Sequence, residues 1–135
     1  MDPVETIAIR SEVDIVEARR RMRELASPLE FSAGELAMVA TAVSELARNI
    51  LVYAREGEIA LSLVESRALV GISIVASDAG PGIADLELAM QDGFSSSNGL
   101  GLGLPGSKRL MDDFDLVSEV GVGTTISATK WTTRS

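Results

Sequence analysis

The chain contains no cysteine and no histidine. Without thiols there is no disulfide, no thiol nucleophile and no cysteine-ligated metal. Without imidazole there is no histidine zinc site, no serine triad with a histidine base and no phosphohistidine chemistry within the chain. A general base must therefore be a carboxylate or, failing that, a lysine. Cations are scarce too: 12 Lys and Arg against 20 Asp and Glu leave a formal net charge of −8. That balance speaks against a long nucleic-acid or anionic-membrane surface, which needs clustered cations to replace counterions. The one basic cluster, Arg19, Arg20, Arg21 and Arg23, has helical spacing and suits a solvated face or, as the sharper alternative, a docking patch for an acidic partner. No apolar run is expected to approach bilayer length, and Met1-Asp2-Pro3-Val4-Glu5 lacks the basic stretch and apolar core of a leader. A cytoplasmic location with no membrane or nucleic-acid partner is the expectation.

What is present suits one domain spanning 1–135, since 46% apolar residues are ample for a core of that size. Val4 to Ile9 alternates as a strand does, and Ser11 with Asp14 caps a helix that Pro28 stops. Ser32 and Glu35 form a second capping box, after which Leu36, Val39, Ala40, Val43, Leu46, Ala47 and Ile50 recur at steps of three and four. Glu58 to Val64 and Leu69 to Ser77 read as a hairpin turning at Glu65-Ser66-Arg67. Gly80 to Gly106 is rich in Gly and Ser and reads as a mobile loop, with one helical turn at Leu86 to Met90. Leu104 to Asp112 is helical, with Pro105 tolerable in the first turn, and two strands flank Gly121-Val122-Gly123. This order predicts an α+β fold, a two-layer sandwich with helices on one face of a mixed sheet.

Three polar islands interrupt the apolar background. In Ser44-Glu45-Leu46-Ala47-Arg48-Asn49, Glu45 and Asn49 lie four apart on a helix, with Cβ atoms roughly 6 Å from each other. A carboxylate can take a proton from a hydroxyl while a neighbouring amide oxygen coordinates a hard cation such as Mg²⁺. The same pair also suits a polar helix face in water, and Thr41 and Ser44 would share that face. In Asp78-Ala79-Gly80-Pro81-Gly82 a carboxylate ends an apolar strand, where it can receive the exocyclic amine of adenine or simply cap a turn. Gly99-Leu100-Gly101-Leu102-Gly103 precedes a helix and aims backbone amides at phosphate, or acts as a hinge. Gly101-Leu102-Gly103-Leu104-Pro105-Gly106 also matches the dinucleotide fingerprint G-x-G-x-x-G, with Glu119 as the ribose acid, but it follows a Ser-Ser-Ser-Asn loop instead of a strand. No Gly-Lys-Ser or Gly-Lys-Thr of a Walker loop occurs.

In order and spacing, Glu45 to Asn49, Asp78 to Gly82, Gly99 to Gly103 and Gly123-Thr124 resemble the N, G1 and G2 boxes and closing threonine of the Bergerat-fold (GHKL) ATPase and kinase superfamily. The resemblance covers nearly the whole chain. Length excludes its large members, and the missing histidine excludes a self-contained histidine kinase. Ser44 to Ile50, Asp92-Gly93-Phe94-Ser95, and Gly103-Leu104-Pro105-Gly106 through Lys108-Arg109-Leu110-Met111-Asp112 are similar to the RsbT-type serine/threonine switch kinases of the bacterial stressosome, within the anti-sigma-factor kinase branch.

The resemblance implies a kinase, using ATP and Mg²⁺, that phosphorylates STAS-domain partners of the RsbS and RsbR kind. When released from them, it activates a PP2C-type phosphatase. It implies Glu45 as general base, Asn49 as the Mg²⁺ ligand, and Asp78 as the adenine reader, directly and through a water shared with Thr124. Gly80, Gly82 and Ile83 would shape the base pocket; Gly99, Gly101, Leu102 and Gly103 would serve the phosphates, with Arg48 and Lys108 as further phosphate or structural contacts. Related kinases carry a basic residue in the lid, yet Ile83 to Gly99 has no Lys or Arg and does have Asp85, Glu87 and Asp92. Weak nucleotide binding by the isolated chain, tightening with partner, is the consequence. A nucleotide-tuned partner-binding module and an anti-sigma-factor kinase remain as alternatives.

Overall fold

The computed structural model describes residues 4–81 and 103–133. Eight elements follow in the order β1 (Glu5–Ile9), α1 (Glu12–Ala26), α2 (Ala33–Tyr53), β2 (Gly57–Ser66), β3 (Leu69–Asp78), α3 (Gly103–Leu110), β4 (Asp113–Glu119) and β5 (Gly123–Thr133). Both predicted caps open their helices: at α1 Asp14 Oδ2 accepts from Ser11 N at 3.1 Å while Ser11 Oγ takes no cap amide, and at α2 Ser32 Oγ accepts from Glu35 N at 3.0 Å while Glu35 accepts from Ser32 N at 2.9 Å. The α2 cap contributes about 1 kcal/mol by satisfying an amide the helix leaves orphaned. The β2–β3 ladder runs on to Ser66 and Leu69, so the hairpin turns at Arg67-Ala68, one step later than expected, with Arg67 at φ 45. The helical turn expected at Leu86 to Met90, the mobile lid, Asp92 to Ser95 and the site residues Gly82, Ile83, Gly99, Gly101 and Leu102 lie outside the described residues.

The five strands form one sheet in the order β1-β2-β3-β5-β4. The α+β layering is as predicted, but every pairing is antiparallel, which corrects the mixed sheet. The physical reason lies in the last hairpin. β4 runs parallel to β3, as a crossover through α3 requires, but β5 folds back into the space between them and takes both ladders.

Alternation assigns the faces. Ile7, Ile59, Leu61, Ile72, Ile74, Ala76, Ile126 and Ala128 are buried on one side, while Ala60, Ser62, Ser73, Val75 and Ser127 between them are half-buried. Among the described residues the helices serve the buried side: α1 lies over β1 and β2, α2 over β1 to β3, and α3 packs on α2. Met22, Val39, Val43, Leu46 and Ile50 complete the core, and truncating one of them to Ala costs roughly 2–5 kcal/mol.

At 21 residues α2 has the length and apolar composition of a membrane span, contrary to the expectation that no apolar run approaches that size. Half of the qualifying stretch is buried within the protein, so its apolar side chains serve the sheet and neighbouring helices.

Candidate functional site

The candidate site has a floor of strand ends and a wall of helix. Asp78 on β3 pairs with Thr124 on β5, which pairs with Ser118 on β4. Each lies two residues beyond a core position (Ala76, Ile126 and Leu116), so the three side chains continue the helix-facing side where the core turns polar. Asp78 Oδ1 accepts from Gly80 N at 2.9 Å, which folds the chain back immediately after β3. Thr124 is buried, and its hydroxyl lies 2.8 Å from Ser118 Oγ. Ser118 Oγ also approaches the Gly123 carbonyl at 3.3 Å.

Close backbone packing holds this floor. Gly123 sits at φ 147, and a Cβ there would collide with the Asp78 carbonyl oxygen. A Cβ on Gly80 would meet Ala54 Cβ at 2.6 Å, so the turn after β3 lies directly against the end of α2. The Gly121 amide donates to the Pro81 carbonyl at 2.9 Å, tying the β4–β5 turn to the same place.

The wall is α2. Ser44 and Glu45 are only 7% and 9% exposed, which overturns the reading of a polar face in water. α1 and α3 flank α2 and bury its sides as well as its base. Arg48 Nη1 donates to Glu45 Oε1 at 3.1 Å, and Arg48 Nε is buried without a hydrogen-bond partner among the described residues. Ser44 Oγ donates to the Ala40 carbonyl at 2.9 Å and accepts from Arg19 Nη1 at 3.0 Å. Asn49 is half-buried one turn beyond Glu45 and precedes Ile50, whose Cγ2 would meet a Cβ on Gly57 at 2.8 Å; that same Cβ would come within 3.0 Å of Asp78 Cβ. Thus α2 carries Glu45 and Asn49 toward the end of the sheet that bears Asp78 and Thr124.

α3 begins at Gly103, one residue before the expected Leu104, and ends at Leu110, short of the expected Asp112, while Lys108 is exposed on that helix. Arg48 turns toward α1, where it lines a pocket with Arg19 and Arg23. Two contributors were not anticipated. Ser118 interrupts the inward series Phe114, Leu116 with a hydroxyl, a signal legible in the alternation of β4. Arg19 belongs to a cluster whose sides become distinguishable only once α2 is placed against α1.

Residues 9–130 match the model of the histidine kinase-like ATPase domain. The chain belongs to that family. Among its relatives, the serine/threonine-protein kinase RsbT of Bacillus subtilis (strain 168) is 50% identical over 131 residues, covering 97% of this chain and 98% of the relative. The anti-sigma F factor of Caldanaerobacter subterraneus subsp. tengcongensis is 32% identical over 122 residues, covering 87% and 85% of the two chains. A crystal structure of the RsbU and RsbW domains of Rv1364c from Mycobacterium tuberculosis superposes with a TM-score of 0.64 at 17% identity. It covers 96% of this chain and 32% of that longer one, and the likeness shows the fold alone.

Proposed function

We propose that this domain is an ATP-dependent protein serine/threonine kinase that phosphorylates STAS-domain partners and, once released from them, activates a PP2C-type phosphatase in a cytoplasmic stressosome switch. The single observation that carries the reading is Glu45, a nearly buried carboxylate on the helix that ends over Asp78. A pure binding module has no need of a base there. Identity of 50% over 97% of this chain and 98% of a protein named as a serine/threonine kinase supports the same reading. The 32% identity to an anti-sigma F factor keeps an anti-sigma partner as the second reading.

The residues present fit a purine nucleotide. Asp78 Oδ1 takes one backbone amide and the carboxylate keeps acceptor capacity for an amine, while the Gly80 turn packs so closely on Ala54 that no side chain fits there. Thr124 offers a buried hydroxyl in the same row. The Asn49 carboxamide supplies the hard oxygen that suits Mg²⁺. Bound Mg-ATP would provide the transferable phosphoryl group with part of its charge neutralised. Gly103 would offer its backbone to phosphate, and Gly80 would border the base.

The chain's own part is to orient the acceptor and move a proton. Arg48 fixes the Glu45 carboxylate by holding Oε1, and the carboxylate then accepts the proton of the partner's hydroxyl as its oxygen attacks. Burial keeps competing water from Glu45.

Labelled γ-phosphate from Mg-ATP should appear on a serine or threonine of a STAS-domain protein encoded beside this chain. A stable complex with that protein but no label on it would replace the kinase with a nucleotide-tuned binding module. Label on an anti-sigma-factor antagonist alone would favour the second reading.

A further inference from the structure

The basic cluster of α1 is divided by the fold. Arg20 reaches Glu17 at 2.8 Å and Glu24 at 2.7 Å, and Arg21 reaches Glu5 at 2.8 Å and Glu17 at 3.5 Å. Arg20 is neutralised on the exposed side of the helix and Arg21 against β1. Arg19 and Arg23, four residues apart, make no ion pair among the described residues and line a pocket against α2 with Arg48, Thr41 and Ser44. We propose that this pocket is a phosphoryl-anion site that takes a phosphorylated side chain of a protein partner.

The pocket's hydrogen-bonding character is one-sided. Thr41 Oγ1 donates to the Ala37 carbonyl at 3.0 Å and Ser44 Oγ to the Ala40 carbonyl at 2.9 Å, so both hydroxyl protons are committed to the helix backbone. Ser44 instead accepts from Arg19 and fixes that guanidinium across the interhelical seam. The donors left for a ligand are guanidinium N–H groups, the fork that matches phosphoryl oxygens.

The charge count selects the anion. Three guanidiniums line the pocket and one of them, Arg48, is paired with Glu45, which leaves Arg19 and Arg23 to match the −1.5 to −2 of a phosphoryl group at neutral pH. A carboxylate ligand would leave cations uncompensated, in a chain whose net charge of −8 offers carboxylates in abundance elsewhere. The pocket is open to solvent and spans about 500 Å³, more than free phosphate fills, which leaves room for the segment that bears the group. It shares no lining residue with the open cavity that contains Asp78. Through Arg48 it touches Glu45, so a phosphorylated partner residue held here sits beside the proposed base. The inference rests on the kinase reading only for the origin of the phosphoryl group.

The test uses the full chain and a short fluorescein-labelled Gly/Ala peptide carrying one phosphoserine, followed by fluorescence anisotropy. The phosphopeptide should bind at least about tenfold more tightly than its Ser and Glu counterparts, and Arg19→Gln and Arg23→Gln should each weaken it by roughly tenfold, the scale of one charged hydrogen bond. Binding should survive both Mg-ADP and Asp78→Asn. Arg23 is exposed, so its variant decides the matter should Arg19→Gln fail to fold. Equal binding of the Glu peptide, or indifference to both arginine variants, would overturn the site. Displacement by Mg-ADP would place the phosphoryl group in the nucleotide site instead, and displacement by equimolar inorganic phosphate would remove the protein-borne ligand. Peptide binding intact with no label transfer would fail the kinase reading alone.

Discussion

On the floor of the candidate site, Asp78, Thr124 and Ser118 are joined to backbone or to one another by contacts of 2.8–3.3 Å. On its wall, Glu45 shares a charged contact with Arg48, and Arg48 Nε is buried without a hydrogen-bond partner among the described residues. The floor is set by strand register and close backbone approach, which suits recognition of a fixed shape such as a purine. The wall places charge on a nearly buried helix, which suits proton and phosphoryl chemistry. Floor substitutions should therefore act on folding and nucleotide affinity, and wall substitutions on turnover.

The largest effect expected from the floor belongs to Gly123→Ala. Its Cβ meets the Asp78 carbonyl at a backbone φ of 147, so urea denaturation should show a loss of roughly 3 kcal/mol or more. Unchanged stability would mean that the β3–β5 register does not hold the floor. Asp78→Asn comes next. Loss of a charged acceptor is worth about 1.5–3 kcal/mol, so ATP affinity measured by calorimetry should fall roughly 10- to 100-fold, while turnover at saturating nucleotide persists. A fall in kcat at unchanged affinity would move Asp78 from floor to wall.

Thr124→Val keeps the shape and removes the hydroxyl. It should lower ATP affinity by about 2- to 10-fold, the worth of one neutral hydrogen bond, and leave Glu45-dependent turnover unaltered. The smallest effect lies outside both regions. Hydrogen bonding from Arg20 holds the Glu17 carboxyl below its ordinary 4.5, so the stability Glu17 contributes is present above that value and lost as the pH falls below it. Thermal midpoints of Glu17→Gln should lie slightly below the unmodified protein near neutrality and converge with it in acid.

Much of this was legible in the residues. Both helix caps, the apolar stripe of α2 and the alternation of the central hairpin are local signals, and the structure follows them. The co-location of Glu45 and Asn49 on α2 follows from spacing, whereas that of Asp78 and Thr124 across β3 and β5 was implied by the family resemblance alone. What escaped was non-local. The position of β5 between β3 and β4 is decided by which ladder the last hairpin completes, and no single segment encodes that choice. The burial of Ser44 and Glu45 depends on α1 and α3 closing over a helix face that periodicity alone marks as polar. The inward turn of Arg19, unlike that of its neighbour Arg20, depends on a partner 25 residues away.

The most direct test of the division between floor and wall is Glu45→Gln, assayed in parallel for ATP affinity and for phosphoryl transfer to a STAS-domain partner. A general base contributes roughly 10²–10⁴ in rate, so transfer should fall by that factor while nucleotide affinity stays within about twofold. Loss of affinity and turnover together, with the fold intact, would make Glu45 part of the nucleotide cradle and contradict its role as the base.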